Sequence, residues 1–275
     1  MKFLIKHLRS SFLFFIILFF SQLVNAASDK NDVFYDIQKK GVITIGISVL
    51  PPWIMKNKEG KYIGFEIDIA NQLAKDLGVK INFKEYQWDE MIPALKKGEI
   101  DIIASGLSIT PKRSLEINFS EPYSSSGYSL VTNLSLTKDF TSVKDLNNEK
   151  IYIAAVKGTV SAGLVAKVFP KAKIDLRDTA KDATSAVVNG SVHAFVSSSP
   201  VPEFIALKYP KEVDLPLKKP LLTTKEAFAI NKNNQEMLNF LNSWIVANQA
   251  SEWISSSHKY WFKTLQWQDQ LDKTE

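Results

Sequence analysis

The sequence predicts an α/β fold with two Rossmann-like lobes that are joined by a two-segment hinge. Strand patterns alternate with helix patterns about every dozen residues, which is typical of βαβ units around a mostly parallel sheet. This alternation starts near residue 42 and again near residue 150, so two similar units follow one another. Two extended segments, 128–132 and 222–228, predict two chain crossings between the lobes, and a double crossing allows closure about a cleft.

The first unit contains five predicted elements. They are a buried strand, a helix with one apolar face, an alternating strand, a short helix capped by Asp89 and an apolar strand, over 42–48, 65–77, 79–86, 89–95 and 100–104. Gly78 and Gly98 follow the two helices and predict their ends. Glu66 and Asp68 diverge in the first helix, so we interpret them as capping and surface groups and not as a catalytic pair.

The second unit repeats this order from residue 150. Its predicted elements are two helices between three strands, over 150–156, 159–168, 174–176, 182–189 and 192–196. A last helix over 235–247 and an aromatic tail are expected to pack back on the first lobe. We therefore place lobe 1 at residues 27–131 plus 223–275 and lobe 2 at 132–222. The alternative is a single doubly wound domain with a long tail.

Residues 1–26 have the layout of a cleavable secretory signal. Three basic residues precede an apolar run over 12–20, and small residues follow up to Ala26. The apolar run is short for a bilayer span, so cleavage after about Ala26 is favoured over an uncleaved membrane anchor. The sequence therefore predicts export of the mature protein, and a periplasm suits a soluble protein without an anchor.

Composition excludes several kinds of function. The chain contains no cysteine, so disulfides, thiol nucleophiles, a lipid-modified cysteine and Cys-ligated zinc are excluded. Of three histidines, His193 and His258 lie far apart and the third is in the signal, which predicts no metal site. Removal of the signal's three basic residues lowers the net charge from +5 to +2, which argues against nucleic-acid binding. No cofactor is expected.

The densest cluster of polar groups follows the strand that ends at residue 104. Ser105 and Gly106 let the backbone approach a ligand, and Thr110 is a natural helix N-cap before a proline. Free amides at that point, the Ser108 hydroxyl and the guanidinium fork of Arg113 together predict a carboxylate receptor. A solvated surface arginine is the simpler interpretation, but convergence of these donors at a strand end favours a site.

Two tryptophans are candidates for apolar pocket walls. Trp53 follows the first strand and Trp88 follows the third element, so both are expected near the carboxyl ends of strands, where open α/β sheets bind ligands. Ordinary core packing is an equally good interpretation of either indole alone.

Four ordered segments, 45–53, 64–70, 88–95 and 104–123, strongly resemble the polar amino-acid periplasmic binding proteins. These are solute receptors of ABC importers with the type II periplasmic-binding fold. The resemblance covers nearly the whole mature chain. It implies a monomeric receptor for an amino acid or close analogue that delivers its ligand to a permease in the inner membrane.

The resemblance also implies roles for individual residues. The ligand carboxylate would meet Arg113 and the amides around Ser108, and its side chain would pack on Trp88. Thr159 and Val160 match a loop of the second lobe that also touches the carboxylate.

One position departs from the family pattern. The aspartate that pairs with the ligand ammonium corresponds here to Ser198, beside Ser197. A hydroxyl cannot neutralise an ammonium, and burying an unpaired charge is costly. Either Glu203 substitutes for the aspartate, or the ligand is not an ordinary α-amino acid.

Two other functions are considered. Relatives of these receptors include a periplasmic cyclohexadienyl dehydratase, but Val201 stands close to where the resemblance places its glutamate. A sensor-type ligand-binding protein is the other alternative. The sequence favours a binding protein without catalytic activity.

Overall fold

The computed structural model of the protein describes residues 32–264 and 266–271, which form two main β-sheets with helices packed on both and one separate two-stranded sheet, made of Met55–Lys56 and Tyr62–Ile63. The elements of the first lobe are α1 (Val33–Lys40), β1 (Val42–Ile47), β2 (Met55–Lys56), β3 (Tyr62–Ile63), α2 (Phe65–Leu77), β4 (Lys80–Glu85), α3 (Met91–Lys96), β5 (Ile102–Ile103), α4 (Pro111–Ser114) and β6 (Asn118–Phe119). Its sheet has the order β4-β1-β5-β13-β6, where β13 is Ala229–Ile230, and β1 is parallel to both β4 and β5.

The second sheet has the order β11-β7-β10-β8-β9. The elements of this part are β7 (Ser124–Asn133), β8 (Tyr152–Val156), α5 (Val160–Val168), β9 (Lys173–Arg177), α6 (Ala180–Val188), β10 (Ala194–Ser198), α7 (Val201–Lys208), β11 (Val213–Asp214) and β12 (Leu222–Glu226). The chain then returns to the first sheet through β13 and continues into α8 (Gln235–Ala250), α9 (Trp253–Lys263) and a 3-10 helix, Gln266–Gln270. The predicted two-lobed α/β fold class is confirmed.

The two crossings between the sheets are paired with each other. β12 is antiparallel to β7, with Thr224 opposite Ser126, so the hinge is a two-stranded ribbon at the edge of the second sheet. The predicted lobe boundaries, at 131–132 and 222–223, fall inside these two strands and stay a prediction. The interpretation as one doubly wound sheet is wrong, because the described strands form two separate main sheets.

Most helices lie close to their predicted bounds, but the capping residue predicted before α3 is wrong. Asp89 lies inside a short 3-10 helix, Trp88–Glu90, and Gln87 occupies the N-cap position. The side chain of Gln87 accepts a backbone N–H of that turn, and Glu90 reaches back to the Gln87 amide at 3.2 Å. Asp89 is therefore left exposed, and it faces the second lobe.

The aromatic tail packs on the first lobe, as predicted. The Phe262 ring lies 4.6 Å from that of Trp53 and 5.2 Å from that of Phe65, and Trp261 donates its indole N–H to Asp68 at 2.6 Å. Among the residues described here, no helix is both long and apolar enough to cross a membrane. The predicted signal peptide lies outside the described residues.

The N-terminus of α2 is held against the turn that follows β1. The Glu66 amide donates to the Trp53 carbonyl at 3.1 Å, and Gly64 precedes the helix with φ of 133°. A Cβ on Gly64 would lie 2.3 Å from the Trp53 carbonyl oxygen. Only glycine fits this close backbone approach, because a side chain would clash and the φ value would be strained.

We expect Gly64→Ala to lower the free energy of unfolding by about 1–3 kcal/mol, because it adds strain at a positive φ and a clash with the Trp53 backbone. Gly163, inside α5, is the matched control, because a Cβ there meets nothing within 4 Å. Gly163→Ala should instead stabilise the protein by about 0.5–1 kcal/mol. Urea denaturation of both variants measures the difference, and equal effects would contradict the steric argument.

Candidate functional site

Arg113 joins the two lobes at the carboxyl ends of their strands. Its guanidinium donates to the Ser108 carbonyl at 2.8 Å and to the Gly158 carbonyl at 3.1 Å. Ser108 follows β5 in the first lobe, and Gly158 follows β8 in the second. The sequence-predicted anchor is therefore at the junction of the lobes, with one contact on each side.

The guanidinium is buried without a carboxylate partner in the described structure. Arg113 is 9% exposed, and burial lowers its pKa from the usual value. None of the ion pairs among the described residues includes it. Two carbonyl bonds use two of its five N–H donors and give it no countercharge. Such a group favours an anion, because a buried charge is costly unless it is paired.

Thr110 has the capping role that the sequence predicts. Its hydroxyl accepts the Arg113 amide at 3.3 Å, and Pro111 occupies the first helical position of α4. The helix is only four residues long, so its dipole is small. An anion at this point would therefore meet mainly the charge of Arg113 and nearby amides, and little of the helix dipole.

The loop after β5 is fixed by contacts on both sides. Ser105 is buried, and its hydroxyl accepts the Ser48 amide at 3.0 Å, which ties the ends of β1 and β5 together. The hydroxyl of Ser108 is 3.1 Å from that of Tyr128 and 3.3 Å from that of Thr224. The predicted site residues of this loop therefore pack against the hinge as well as lying beside Arg113.

Gly106 has a positive φ of 63°, and its missing side chain makes room for an indole. A Cβ there would lie 3.0 Å from Cε3 of Trp53. Trp53 is 2% exposed and packs on two phenylalanine rings, so most of it belongs to the core. Its indole N–H has no partner among the described residues.

The two lobes meet where Gly158 approaches the 3-10 turn of the first lobe. A Cβ on Gly158, which has φ of 69°, would lie 2.9 Å from the Cβ of Asp89. Thr159 follows as the residue before α5, and its hydroxyl donates to the Val156 carbonyl at 2.6 Å. Val160 is half-buried in the core of the second lobe. The predicted second-lobe loop therefore lies beside Arg113.

Trp88 is half-buried at the start of this turn. It packs against the apolar cluster that includes Met91 and Leu107, and its buried indole N–H has no described partner. The neighbouring Asp89 touches Gly158, so Trp88 lies close to the junction of the lobes. Its role as a pocket wall stays a prediction.

Glu203 lies in a different part of the interface. It lines a cavity of about 410 Å³ together with Trp53, Ser199, His258 and other residues of both lobes and of the hinge. Ser199 donates to the Glu203 carboxylate at 2.8 Å. Arg113 and Ser108 do not line this cavity, so the structure divides the predicted site residues between two places.

Ser197 and Ser198 are the last two residues of β10. They pair with Ser129 and Tyr128 of the hinge strand, and Ser197 is buried whereas Ser198 is half-buried. Both hydroxyl groups are neutral. Ser198, the residue that departs from the family pattern, is therefore the last residue of β10. The next residue, Ser199, is the one that donates to Glu203.

The interpretation of Glu66 as a surface or capping group is wrong. Its side chain is fully buried, and Tyr123 donates to Oε2 at 2.7 Å. Burial, as the largest cause, and the nearby Glu226 carboxylate raise the pKa of Glu66 to about 8. The nearby Gly106 amide tends to lower the pKa of Glu66. It does not form a hydrogen bond of normal geometry with Oε1, which has no partner in the described structure.

Glu226, at the end of β12, was not predicted at all. It is fully buried, and its Oε1 accepts hydroxyls of Ser126 and Thr224, both at 2.8 Å. Burial raises the pKa of this carboxyl as well. An acidic residue in an alternating, polar hinge strand carries no sequence signal of burial, since the neighbours that enclose it come from distant segments.

Two α/β lobes with a buried guanidinium at their junction define a two-lobed solute-binding protein. Residues 43–264 match the family of bacterial extracellular solute-binding proteins, family 3. The L-cystine-binding protein of Escherichia coli is 25% identical over 234 residues, which cover 82% of this chain and 84% of that protein. The glutamine-binding protein of Geobacillus stearothermophilus is 34% identical over 59% of this chain and 63% of its own.

Solved structures agree with this assignment. A putative ABC-transporter binding component from Wolinella succinogenes, complexed with lysine, has a TM-score of 0.78 at 31% identity and covers 84% of this chain and 99% of its own. An ancestral amino acid-binding protein, described as a precursor of cyclohexadienyl dehydratase, has a TM-score of 0.76 at 34% identity with the same coverage. The chain belongs to the bacterial extracellular solute-binding proteins, family 3.

We expect the free energy of unfolding to fall as pH rises from about 4.5 to about 8, because folded Glu66 keeps a proton that the unfolded chain has released. One such group gives a slope of at most about 1.4 kcal/mol per pH unit. Glu66→Gln should flatten this part of the profile in urea denaturation between pH 5 and 8. A parallel profile for variant and wild type would contradict the protonated state.

Proposed function

We propose that this protein is a periplasmic receptor that captures an amino acid or close analogue for an ABC importer. The observation that carries the proposal is Arg113, buried at the junction of the lobes with contacts to both and no ionic partner in the described structure. A guanidinium fork binds a carboxylate through two parallel hydrogen bonds, and carbonyl oxygens cannot supply the charge that a carboxylate does.

Family membership supports the class of ligand. The relatives described above are named for cystine and glutamine, and an arginine-binding protein of Escherichia coli is 26% identical over 80% of this chain. The shared part of such ligands is the α-amino acid group, whose carboxylate suits Arg113. The ligand side chain would then lie against Trp88, and Thr159 and Val160 would contact the carboxylate from the second lobe.

The ligand ammonium requires a different partner from the family's aspartate. Ser197 and Ser198 offer neutral oxygens at the end of β10, and Glu203 offers a carboxylate that Ser199 orients. Since Glu203 lines the cavity beside Trp53, it serves an amino acid only if the ligand spans both parts of the interface. The hydroxyl groups of β10 are therefore the first-choice partners.

We propose binding without chemical change. The position that the dehydratase resemblance assigns to a general acid is Val201, which is buried and apolar. Glu203, the nearest acid, is exposed and hydrogen-bonded by Ser199. A buried carboxyl aimed at the substrate is the usual source of a general acid, and no side chain of α7 provides one. We further propose export to the periplasm, a monomeric state and delivery to an inner-membrane permease.

We expect Arg113→Ala to retain the fold and to lose about 2–5 kcal/mol of ligand affinity, because it removes the countercharge of the carboxylate. L-glutamine, L-arginine and L-cystine are the first probes for titration calorimetry. Arg113→Lys should also bind weakly, since an ammonium lacks the planar fork.

Lys112→Ala is the matched control for this experiment, because Lys112 is the exposed neighbour of Arg113 in α4. It should bind as the wild type does. Wild-type affinity in Arg113→Ala would overturn the assignment of the carboxylate site.

We expect Gly158→Ala to weaken ligand binding, because the new methyl group would press on Asp89 and hold the lobes apart. Gly190→Ala is the control, since Gly190 also has a positive φ but its nearest contact to a Cβ would be 3.7 Å, within its own lobe. Both variants carry backbone strain. Small-angle scattering with ligand should show a larger radius of gyration for Gly158→Ala alone, and equal radii would argue against closure through this contact.

A further inference from the structure

Two buried carboxyl groups lie beneath the loop that carries Ser105 to Ser108. Glu66 approaches from the first turn of α2, and Glu226 approaches from the hinge strand β12. Each side chain is fully buried, and each has one oxygen without a partner among the described residues. The site as described above uses neither of them.

The two acids are linked by hydroxyl groups and by the backbone of the hinge. The Tyr123 hydroxyl donates to the Glu66 carboxyl, and the Tyr123 backbone amide donates to the main-chain carbonyl of Glu226 at 3.0 Å. Thr224 links the Glu226 carboxyl to Ser108, with hydroxyl contacts of 2.8 Å and 3.3 Å. The Glu226 carboxyl is therefore connected to the ligand loop through one threonine, and no basic group takes part in these contacts.

The loop itself is bound to the hinge by backbone contacts. Ile109 donates to the Lys225 carbonyl at 2.9 Å, and Ser108 forms a β-bridge with Glu226. The Gly106 amide lies close enough to Glu66 and Tyr123 to affect the pKa of both. Movement of the acid pair would therefore move the amides that face the ligand.

We propose that Glu66 and Glu226 are positioning residues of the carboxylate site: they hold the loop after β5 against the hinge, and added negative charge beneath the loop, as when Glu66 ionises, weakens ligand binding. This inference rests on the proposed function. An uncompensated anion under the loop would repel a ligand carboxylate strongly, because the local dielectric is low. The hydroxyl donors reach only one oxygen of each carboxyl group, so an ionised acid would keep a second, unpartnered oxygen and no countercharge among the described residues.

The tyrosines and the histidine near the pair do not change charge between pH 7 and 9. The pKa of Tyr123 is raised well above 10 and that of Tyr128 is raised above 10 by burial, while burial and Lys263 lower the pKa of His258 to about 4. Arg113 stays charged throughout this range. Asp68 is engaged by Trp261 and Ser257, and Lys225 points to the exposed face of β12.

The first test needs no ligand. Hydrogen exchange of the segment 104–109 is compared at one pH for wild type, Glu66→Gln and Glu66→Ala. Loss of the acid in Glu66→Ala should speed exchange in this segment by about fivefold or more through local opening, and the isosteric amide should restore most of the protection. Unchanged exchange in Glu66→Ala would overturn the positioning role.

The second test is a pH profile of affinity for L-glutamine, L-arginine and L-cystine. Wild type should bind the ligand that it accepts about tenfold more weakly at pH 9 than at pH 7, as the acid with a pKa of about 8 ionises. Glu66→Gln should lose most of this decline, and Glu66→Gln/Glu226→Gln should lose all of it. Titration of the ligand amine affects every variant equally and cancels in the comparison.

Glu121→Gln is the matched control, because Glu121 lies on the same segment as Tyr123 but is exposed. It should keep the wild-type pH profile. If the double variant does not fold, the single variant Glu66→Gln decides the result. Equal pH profiles for Glu66→Gln and wild type would overturn the inference. Tight binding by Arg113→Ala would overturn only the proposed carboxylate site, because the hydrogen-exchange test of the loop does not depend on a ligand.

Discussion

The contact between the Trp53 indole and the Gly106 backbone fixes the first-lobe half of the site. The Trp53 carbonyl accepts the Glu66 amide at the start of α2, and the Trp53 ring lies against Gly106 and also packs on Phe262 from α9. One residue therefore sets the distances between the turn after β1, the loop after β5 and the C-terminal helix. Because interiors are densely packed, this arrangement has little freedom to relax, and the loop presents its amides from a rigid base.

The second lobe contacts this rigid first-lobe loop through Gly158, whose carbonyl accepts a hydrogen bond from Arg113 of the first lobe. The guanidinium contacts a carbonyl group on each lobe, so its charge is desolvated by both and neutralised by neither. A ligand carboxylate would be bound more strongly than either carbonyl, because charge-assisted hydrogen bonds are roughly twice as strong as neutral ones. A ligand held there would couple binding to closure of the lobes, since the same arginine would take part in both.

The sequence predicted the parts of the structure that depend on local pattern. The helix 65–77, the Thr110 cap and the position of Arg113 after a buried strand follow from periodicity, turn chemistry and the order of elements. Burial of Glu66 could not be predicted in this way. Its neighbours Tyr123 and Glu226 lie far along the chain, and only the paired hinge strands bring them beneath the same loop. The shared cavity beside Trp53 and Glu203 could not be predicted for the same reason, because it depends on how the lobes meet.

A site that binds a carboxylate would gain from buried acids whose pKa is raised. Hydroxyl donors hold Glu66 and Glu226 in place, while burial raises the pKa of both. If a lysine neutralised this pair, the countercharge would also compete with Arg113 for the ligand, and the loop would carry two cationic centres. Acids of raised pKa instead fill the space beneath the loop with hydrogen-bonding groups and leave Arg113 as the cation of the site. The cost is stability that falls as pH rises from about 4.5 to about 8, because folded Glu66 keeps a proton that the unfolded chain releases.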